Sequence, residues 1–405
     1  MRYFAALLAL PLAAQTVEQR GYLETRSFFY QQKAEGDSAR YVGETLLRWE
    51  SSLKLRANLK LNVWLDGRFD THRQFAREPR LAFAARRAQR PAASVRRLSL
   101  LWNQGGWTVE AGRQFIRWGK ADLLNPTDRF APRDFLNVFT PEFLGVTAAR
   151  ATYERGGDTL DFVFAPAFTP SRSPLLNQRW AVLPEEALSL PLSDQGFLFP
   201  GRAQAGARWN HIGSGYEFSL SFYDGFNHLP LITANPRFLP QLTIDFQRFF
   251  PQMRMYGADA AAPFRWFTLK GEAAYFTSRT PQADEYLQYV IQAERISGEW
   301  VFVGGYAGEW ITGRRNPLDF APDRGVTRTF LGRASYNFGP LSSASFEGAL
   351  RQNGQGFYGK WDYSRLLGRH WRWTAGYVLI RGRQDDFLGQ FRRNSHALFT
   401  LRYSF

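Results

Sequence analysis

A chain of 405 residues with 51 Lys and Arg against 36 Asp and Glu, a formal charge of +15, 13 Trp, 36 Phe and no cysteine excludes several classes at once. Without cysteine there is no disulfide framework, thiolate metal site or cysteine nucleophile, and no stretch approaches the ~18–20 uninterrupted apolar residues of a membrane-spanning helix. Aromatic residues at 16% beside a mean hydropathy of −0.37 mean that apolar and polar groups alternate, which suits a closed transmembrane barrel, greasy outside and wet inside.

Met1-Arg2 is a short basic segment, Tyr3 to Leu12 is apolar but too short to span a bilayer, and Ala13-Ala14 supplies small residues before Gln15. That order predicts a signal peptide over residues 1–14, removed on export. Leu12 stands where a small residue is preferred, so the exact cut is not fixed. Residues 15–405 then form a single outer-membrane β-barrel domain, all-β and antiparallel.

Segments of about ten residues with period-two alternation follow one another. Leu59, Leu61, Val63 and Leu65 face one way while Lys60, Asn62, Trp64 and Asp66 face the other, because successive strand side chains point to opposite faces. Ala205, Ala207 and Trp209 alternate with Gln204, Arg208 and Asn210, and after a short turn Tyr216, Phe218, Leu220 and Phe222 alternate with Glu217, Ser219, Ser221 and Tyr223. Such pairs are hairpins. Tight turns fall near 56–58, 103–106, 155–158, 211–215, 262–263, 296–299, 339–340 and 367–369. Longer connections fall at 33–40, 70–93, 116–145, 166–202, 225–250, 278–285, 313–326, 352–357 and 381–393. Eight turns and nine loops join 18 strands, and an even count returns both ends to one side. Short connections on one rim and long ones on the other argue against a soluble sandwich or propeller.

Aromatics flank the short turns: Trp102, Trp107, Tyr153, Trp209, Tyr216, Trp266, Trp300, Tyr336, Phe338 and Trp371. This pattern predicts an interfacial girdle. Ala397, Phe399, Leu401, Tyr403 and Phe405 share one face of the last strand. It resembles the C-terminal signal of substrates of the bacterial β-barrel assembly machinery, which makes that machinery an expected partner during biogenesis.

Among the long loops, 116–145 is the most distinctive. Arg113, Gln114, Arg117, Trp118, Lys120, Asp122, Asn125, Asp128, Arg129, Arg133 and Asp134 crowd it and its root, and Asn125-Pro126 and Ala131-Pro132 interrupt regular structure. The basic residues facing Asp122, Asp128 and Asp134 predict an ion-pair network around Trp118. Folded into the barrel, the loop would set pore width and local field. Here the sequence resembles a broad group of Gram-negative outer-membrane barrel proteins of porin type that carry Gly-Arg-Gln, then Trp-Gly, then Asn-Pro-x-Asp at the end of an early strand. The matching residues are Gly112, Arg113, Gln114, Trp118, Gly119, Asn125, Pro126 and Asp128. The resemblance implies a porin-like role and names no substrate.

Charge is carried by 45 Arg against 6 Lys. Arg73, Arg77, Arg80, Arg86, Arg87, Arg90, Arg96 and Arg97 are opposed only by Glu78, which predicts an anion-attracting vestibule. The same loops would also hold lipopolysaccharide by Arg–phosphate contacts. Predicted lumen charges are mixed, with Arg48, Arg208, Arg333, Arg351 and Arg402 against Glu50, Asp66, Glu217, Glu272, Glu294, Glu347 and Asp362. Among His72, His211, His228, His370 and His396 there is no metal-ligand spacing, and no Gly-x-Ser-x-Gly elbow exists. Asp224 with His228 is the nearest approach to a catalytic pair. The basic residues lie in loops of an exported barrel, which disfavours nucleic acid.

The expected function is a passive outer-membrane porin for small hydrophilic solutes, anions favoured, with neither enzymatic chemistry nor cofactor nor metal. The competing expectations are a substrate-specific or export channel, for example for acidic polysaccharide, and a barrel hydrolase or adhesin. Outer-membrane lipids surround the wall, and the small residues Ala203, Ala205 and Ala207 are compatible with a homotrimer.

Overall fold

A sheet with an apolar row on one face and a polar row on the other leaves no unpaired backbone in hydrocarbon only when it closes on itself. The computed structural model, which describes residues 16–83, 86–182, 191–238, 242–314 and 321–405, shows that closure. The expected signal peptide 1–14 lies outside the described residues.

The first nine barrel strands are β1 (Val17–Tyr30), β2 (Tyr41–Arg56), β3 (Leu59–Asp70), β4 (Arg90–Gln104), β5 (Trp107–Gln114), β6 (Val146–Arg155), β7 (Asp158–Ala165), β8 (Gln204–Gly213) and β9 (Tyr216–Phe226). The second nine are β10 (Gln252–Pro263), β11 (Thr268–Thr277), β12 (Glu285–Ser297), β13 (Trp300–Gly313), β14 (Thr329–Asn337), β15 (Ser342–Arg351), β16 (Gly356–Leu367), β17 (Trp371–Gly382) and β18 (His396–Ser404). Each pairs antiparallel with its neighbours in sequence, and β1 closes the ring on β18, from Tyr22 opposite Ser404 to Tyr30 opposite His396. The seam ends in a reciprocal pair of bonds, Gly21 N to Phe405 O at 2.9 Å and Phe405 N to Gly21 O at 3.0 Å. Eighteen strands, eight tight turns and nine longer connections are those the alternation predicts.

Outward rows are apolar and exposed, as in Leu220, Tyr256, Ile291, Phe330, Leu350 and Phe399. Inward rows are polar and buried, as in Asn62, Asp66, Gln204, Asp259, Glu272, Gln288 and Gln292. The aromatic girdle forms as cross-strand pairs at the short-turn rim. Trp107 stands opposite Tyr153, Trp300 opposite Tyr336 and Trp371 opposite Tyr403, with centroids 4.8, 4.7 and 4.9 Å apart. Direct cross-strand neighbours of this kind stabilise a sheet by ~0.2–1 kcal/mol each.

Several long connections are less irregular than the sequence suggests. Phe75–Ala82 lies parallel to β4, and Leu192–Leu198, Leu231–Arg237 and Thr243–Phe249 build a separate three-stranded sheet. Chain from two different loops therefore pairs with itself beyond the barrel wall. The one α-helix among the described residues spans Pro322–Gly325, and no helix there is long and apolar enough to cross a membrane.

Candidate functional site

Loop 115–145 leaves β5 and turns inward, and local chemistry starts that turn. Gly112 has φ +119°, and a Cβ there would lie 2.3 Å from Leu98 O, so only glycine lets β5 lie this close to β4. Gln114 is fully buried and donates through Nε2 to Glu110 O at 3.0 Å and Ala148 O at 2.9 Å. It clamps the root of the loop to its own strand and to β6.

Two halves of the loop then dock on different arcs of the wall. In the first half, Glu272 of β11 receives Lys120 N at 3.1 Å, Ala121 N at 3.2 Å, and Thr127 N and Thr127 Oγ1 at 2.8 Å each. Gly119 has φ +89°, and a Cβ would meet the Glu272 carboxylate at 2.6 Å, which accounts for the glycine of the Trp-Gly pair. Lys120 Nζ donates to Asn210, Ser219 and Asp259 at 2.7, 2.7 and 2.9 Å, with Glu217 at 3.0 Å. Asp122 accepts from Lys270 and Gln292. Trp118 donates its indole N–H to Asp161 at 3.0 Å and packs edge-on against Phe130, which meets Tyr223 in the same way. These rings join Val146, Val163, Met255 and Phe276 in one buried cluster.

The second half crosses to the opposite arc. Phe139 stacks on Tyr358 of β16 at 4.6 Å, and Val138 joins Trp180, Ile380 and Phe391 in a second cluster. At the crossing, Asp134 accepts from Arg90 at 2.9 Å and Arg172 at 2.8 Å and caps Leu136 N at 3.1 Å.

The network predicted around Trp118 is therefore corrected in one respect. Arg117 with Asp128 is a pair within the loop, but Lys120, Asp122 and Asp134 pair with wall and neighbouring-loop residues. An inward loop has polar strand rows on each side, and these compete for its charges more effectively than its own backbone geometry allows. Gln114, Trp118 and Lys120 face protein rather than open space, while Arg113 and Asp134 border a small separate cavity. Asp122, Asn125, Asp128, Arg129 and Arg133 line a cavity of about 530 Å³ that Leu331, Arg333, Glu347 and Tyr358 of the wall also border. Sequence reasoning placed Glu272 in the lumen but missed Asp161, Asp259 and Gln292 as anchors; the Ala258-Asp259-Ala260 alternation was the available signal. The predicted vestibule also changes: Arg90, at the start of β4, and Arg96 and Arg97, within it as expected, are not left to attract anions, because Asp134, Glu142 and Glu110 receive them.

Burial pushes the Asp128 carboxyl up, against the pull of Arg117 and the Trp118 N–H. Burial opposes the charge on Asp134 too, yet Arg90 and Arg172 bring its pKa from 3.8 down to about 2. A carboxylate depressed on folding contributes stability above its unfolded value and loses it as pH falls through its folded value. The thermal unfolding temperature of the refolded protein is thus expected to fall between about pH 4 and pH 2. The drop should be smaller in Asp134→Asn, with Glu142 supplying the remainder because it too is held well below its ordinary value. An unchanged slope in that variant would exclude Asp134 as the titrating group.

The Asp224–His228 pair suggested by the sequence does not form. Asp224 is taken by Arg202 at 2.8 Å and Arg254 at 3.3 Å, while His228 Nδ1 donates to Thr169 O at 2.6 Å and its ring stacks on Phe168. Burial lowers the His228 pKa to about 4.

Similar architectures occur among solved structures. A BenF-like porin from Pseudomonas fluorescens Pf-5 superposes with a TM-score of 0.53 at 10% identity, over 96% of this chain and 98% of that one. The outer membrane protein opdK from Pseudomonas aeruginosa gives 0.52 at 9%, over 96% and 99%. OccAB4 from Acinetobacter baumannii gives 0.54 at 8%, over 97% and 99%. At these identities the likeness is one of fold. No protein-family model and no curated protein matches the sequence.

Proposed function

We propose that the chain is an outer-membrane porin, a passive diffusion channel for small hydrophilic solutes with a weak preference for anions. The carrying observation is the inward loop: in a closed barrel with a lipid-facing apolar exterior, a segment held against both arcs of the wall leaves a cavity of about 530 Å³ beside it, lined by charged and apolar side chains together. Barrels of 16–18 strands are too wide for their own side chains to fill, so what narrows the lumen decides what passes. The likeness in fold to a solved porin supports this reading.

The preference for anions rests on the cavity lining. Arg129, Arg133 and Arg333 stand against Asp122, Asp128 and Glu347. Asp128 is neutralised by Arg117, and Asp122 shares Lys270 with Glu294, which leaves the three arginines about one charge ahead and the local field weakly positive. Contact of the outward loops with lipopolysaccharide and assembly as a homotrimer through the small outward residues of β8 belong to the same reading.

Purified protein in planar bilayers is expected to give stepwise conductance, and a KCl gradient a reversal potential favouring chloride modestly over potassium. Absence of conductance steps would overturn the channel; a cation preference would overturn the assigned selectivity.

A further inference from the structure

Behind the inward loop lies a second, much smaller space. Arg96 of β4, Arg113 at the end of β5 and Arg172 of the 166–203 connection line one cavity of about 30 Å³, together with Arg68, Arg90, Asp66, Asp134 and Glu142. Three features of this cavity go together. The Nε–H groups of Arg96, Arg113 and Arg172 are all buried and all lack an acceptor. Arg113 is 5% exposed, and among the described residues it has neither hydrogen bond nor ion pair, only the Phe83 ring 5.9 Å away. Five guanidinium groups line the space against three carboxylates, and those carboxylates are engaged by Arg48, Arg68, Arg90, Arg96 and Arg172.

A buried cation without a partner costs several kcal/mol, so such a site is stable only with a counter-charge. Water answers poorly: it accepts at two positions, and its own two protons would need acceptors that the carboxylates have already given to arginines. A monoatomic anion accepts from every side and needs none. The space is about that of one water-sized body, too small for sulfate, phosphate or an organic carboxylate. Burial holds Arg172 below its ordinary arginine value even beside Asp134, with Arg90 adding to the effect, as expected where positive charge is in excess.

We propose that this cavity holds one monoatomic anion, chloride under ordinary conditions, received by the Nε–H groups of Arg96, Arg113 and Arg172. The anion ties the root of the inward loop to the next long connection and to β4. It is a fixed structural ligand, set apart from any solute in the larger cavity, so the proposal stands independently of transport.

The test uses the full chain refolded in detergent. At constant ionic strength, replacing sodium gluconate with sodium chloride or bromide should raise the thermal unfolding temperature saturably, by at least about 3 °C, whereas sulfate should not. In Arg113→Met the halide dependence should vanish, while the unfolding temperature in gluconate stays level or rises because an unpaired buried charge is gone. Crystals grown in bromide should show one anomalous peak between Arg96, Arg113 and Arg172. Equal stabilisation by all the salts, an equal loss of stability of Arg113→Met in chloride and gluconate, or no bromide peak would each overturn the proposal. The bromide measurement on the unaltered protein decides the matter if the variant does not fold.

Discussion

Replacing Glu272 by alanine is expected to raise single-channel conductance about twofold or more and to make it flicker, since pore width sets conduction. Among the described residues the Glu272 carboxylate is the sole acceptor for the Lys120, Ala121 and Thr127 backbone N–H groups, and it also takes the Thr127 hydroxyl. Each buried donor left unpaired costs ~1–3 kcal/mol, which is enough to release residues 119–127 from the wall. The Lys120 ammonium and the Trp118–Phe130 contact remain, so the loop should fluctuate rather than leave. Glu272→Gln keeps one acceptor oxygen and should fall between alanine and the unaltered protein. Deleting 117–134 should give a larger and steadier increase. Unaltered conductance in Glu272→Ala would mean that this half of the loop does not limit flow.

The second large effect is expected at Asp134. This carboxylate, 3% exposed, receives Arg90 from the wall and Arg172 from a different loop. Asparagine in its place leaves two buried guanidinium groups without their shared counter-charge, and breaking a buried pair from one side typically costs ~3–5 kcal/mol. Asp134→Asn should unfold at a markedly lower temperature, and adding Arg172→Met should recover part of the loss because one stranded cation is removed. Chemical denaturation of the single and double variants measures the coupling. A single variant within about 0.5 kcal/mol of the unaltered protein would show that Arg90 and Arg172 find other partners.

The barrel was legible because its signals are local. Alternation over ten residues fixes which face of β3 or β9 meets lipid, and Gly105-Gly106 or Gly156-Gly157 marks a hairpin without reference to anything distant. Thr243–Phe249 alternates well enough to be a strand, but it pairs only with the neighbouring Leu231–Arg237 and with Leu192–Leu198 of another connection, outside the barrel ladder, so the hairpin count reads the whole stretch as a loop. Phe75–Ala82 gives a weaker signal, with Pro79 inside it. The charged residues of the inward loop were legible as a cluster, and their pairings were not. Nothing within 113–134 indicates that Lys120 belongs to Asp259 and Asn210, that Asp122 belongs to Lys270, or that Arg113 has no acid of its own among the described residues. Those facts depend on which strand rows close over the loop.

The distances along the chain between the loop and its anchors also impose an order of assembly. Lys120 must wait for Asn210, 90 residues on, and Asp122 for Gln292, 170 residues on, and such non-local contacts form late because the intervening chain must first be ordered. Two-thirds of the cylinder, through β12, has to exist before the first half of the loop can take its seat. The wall is thus the mould in which the inward loop is cast, and the docked loop is the last arrangement the nascent barrel reaches.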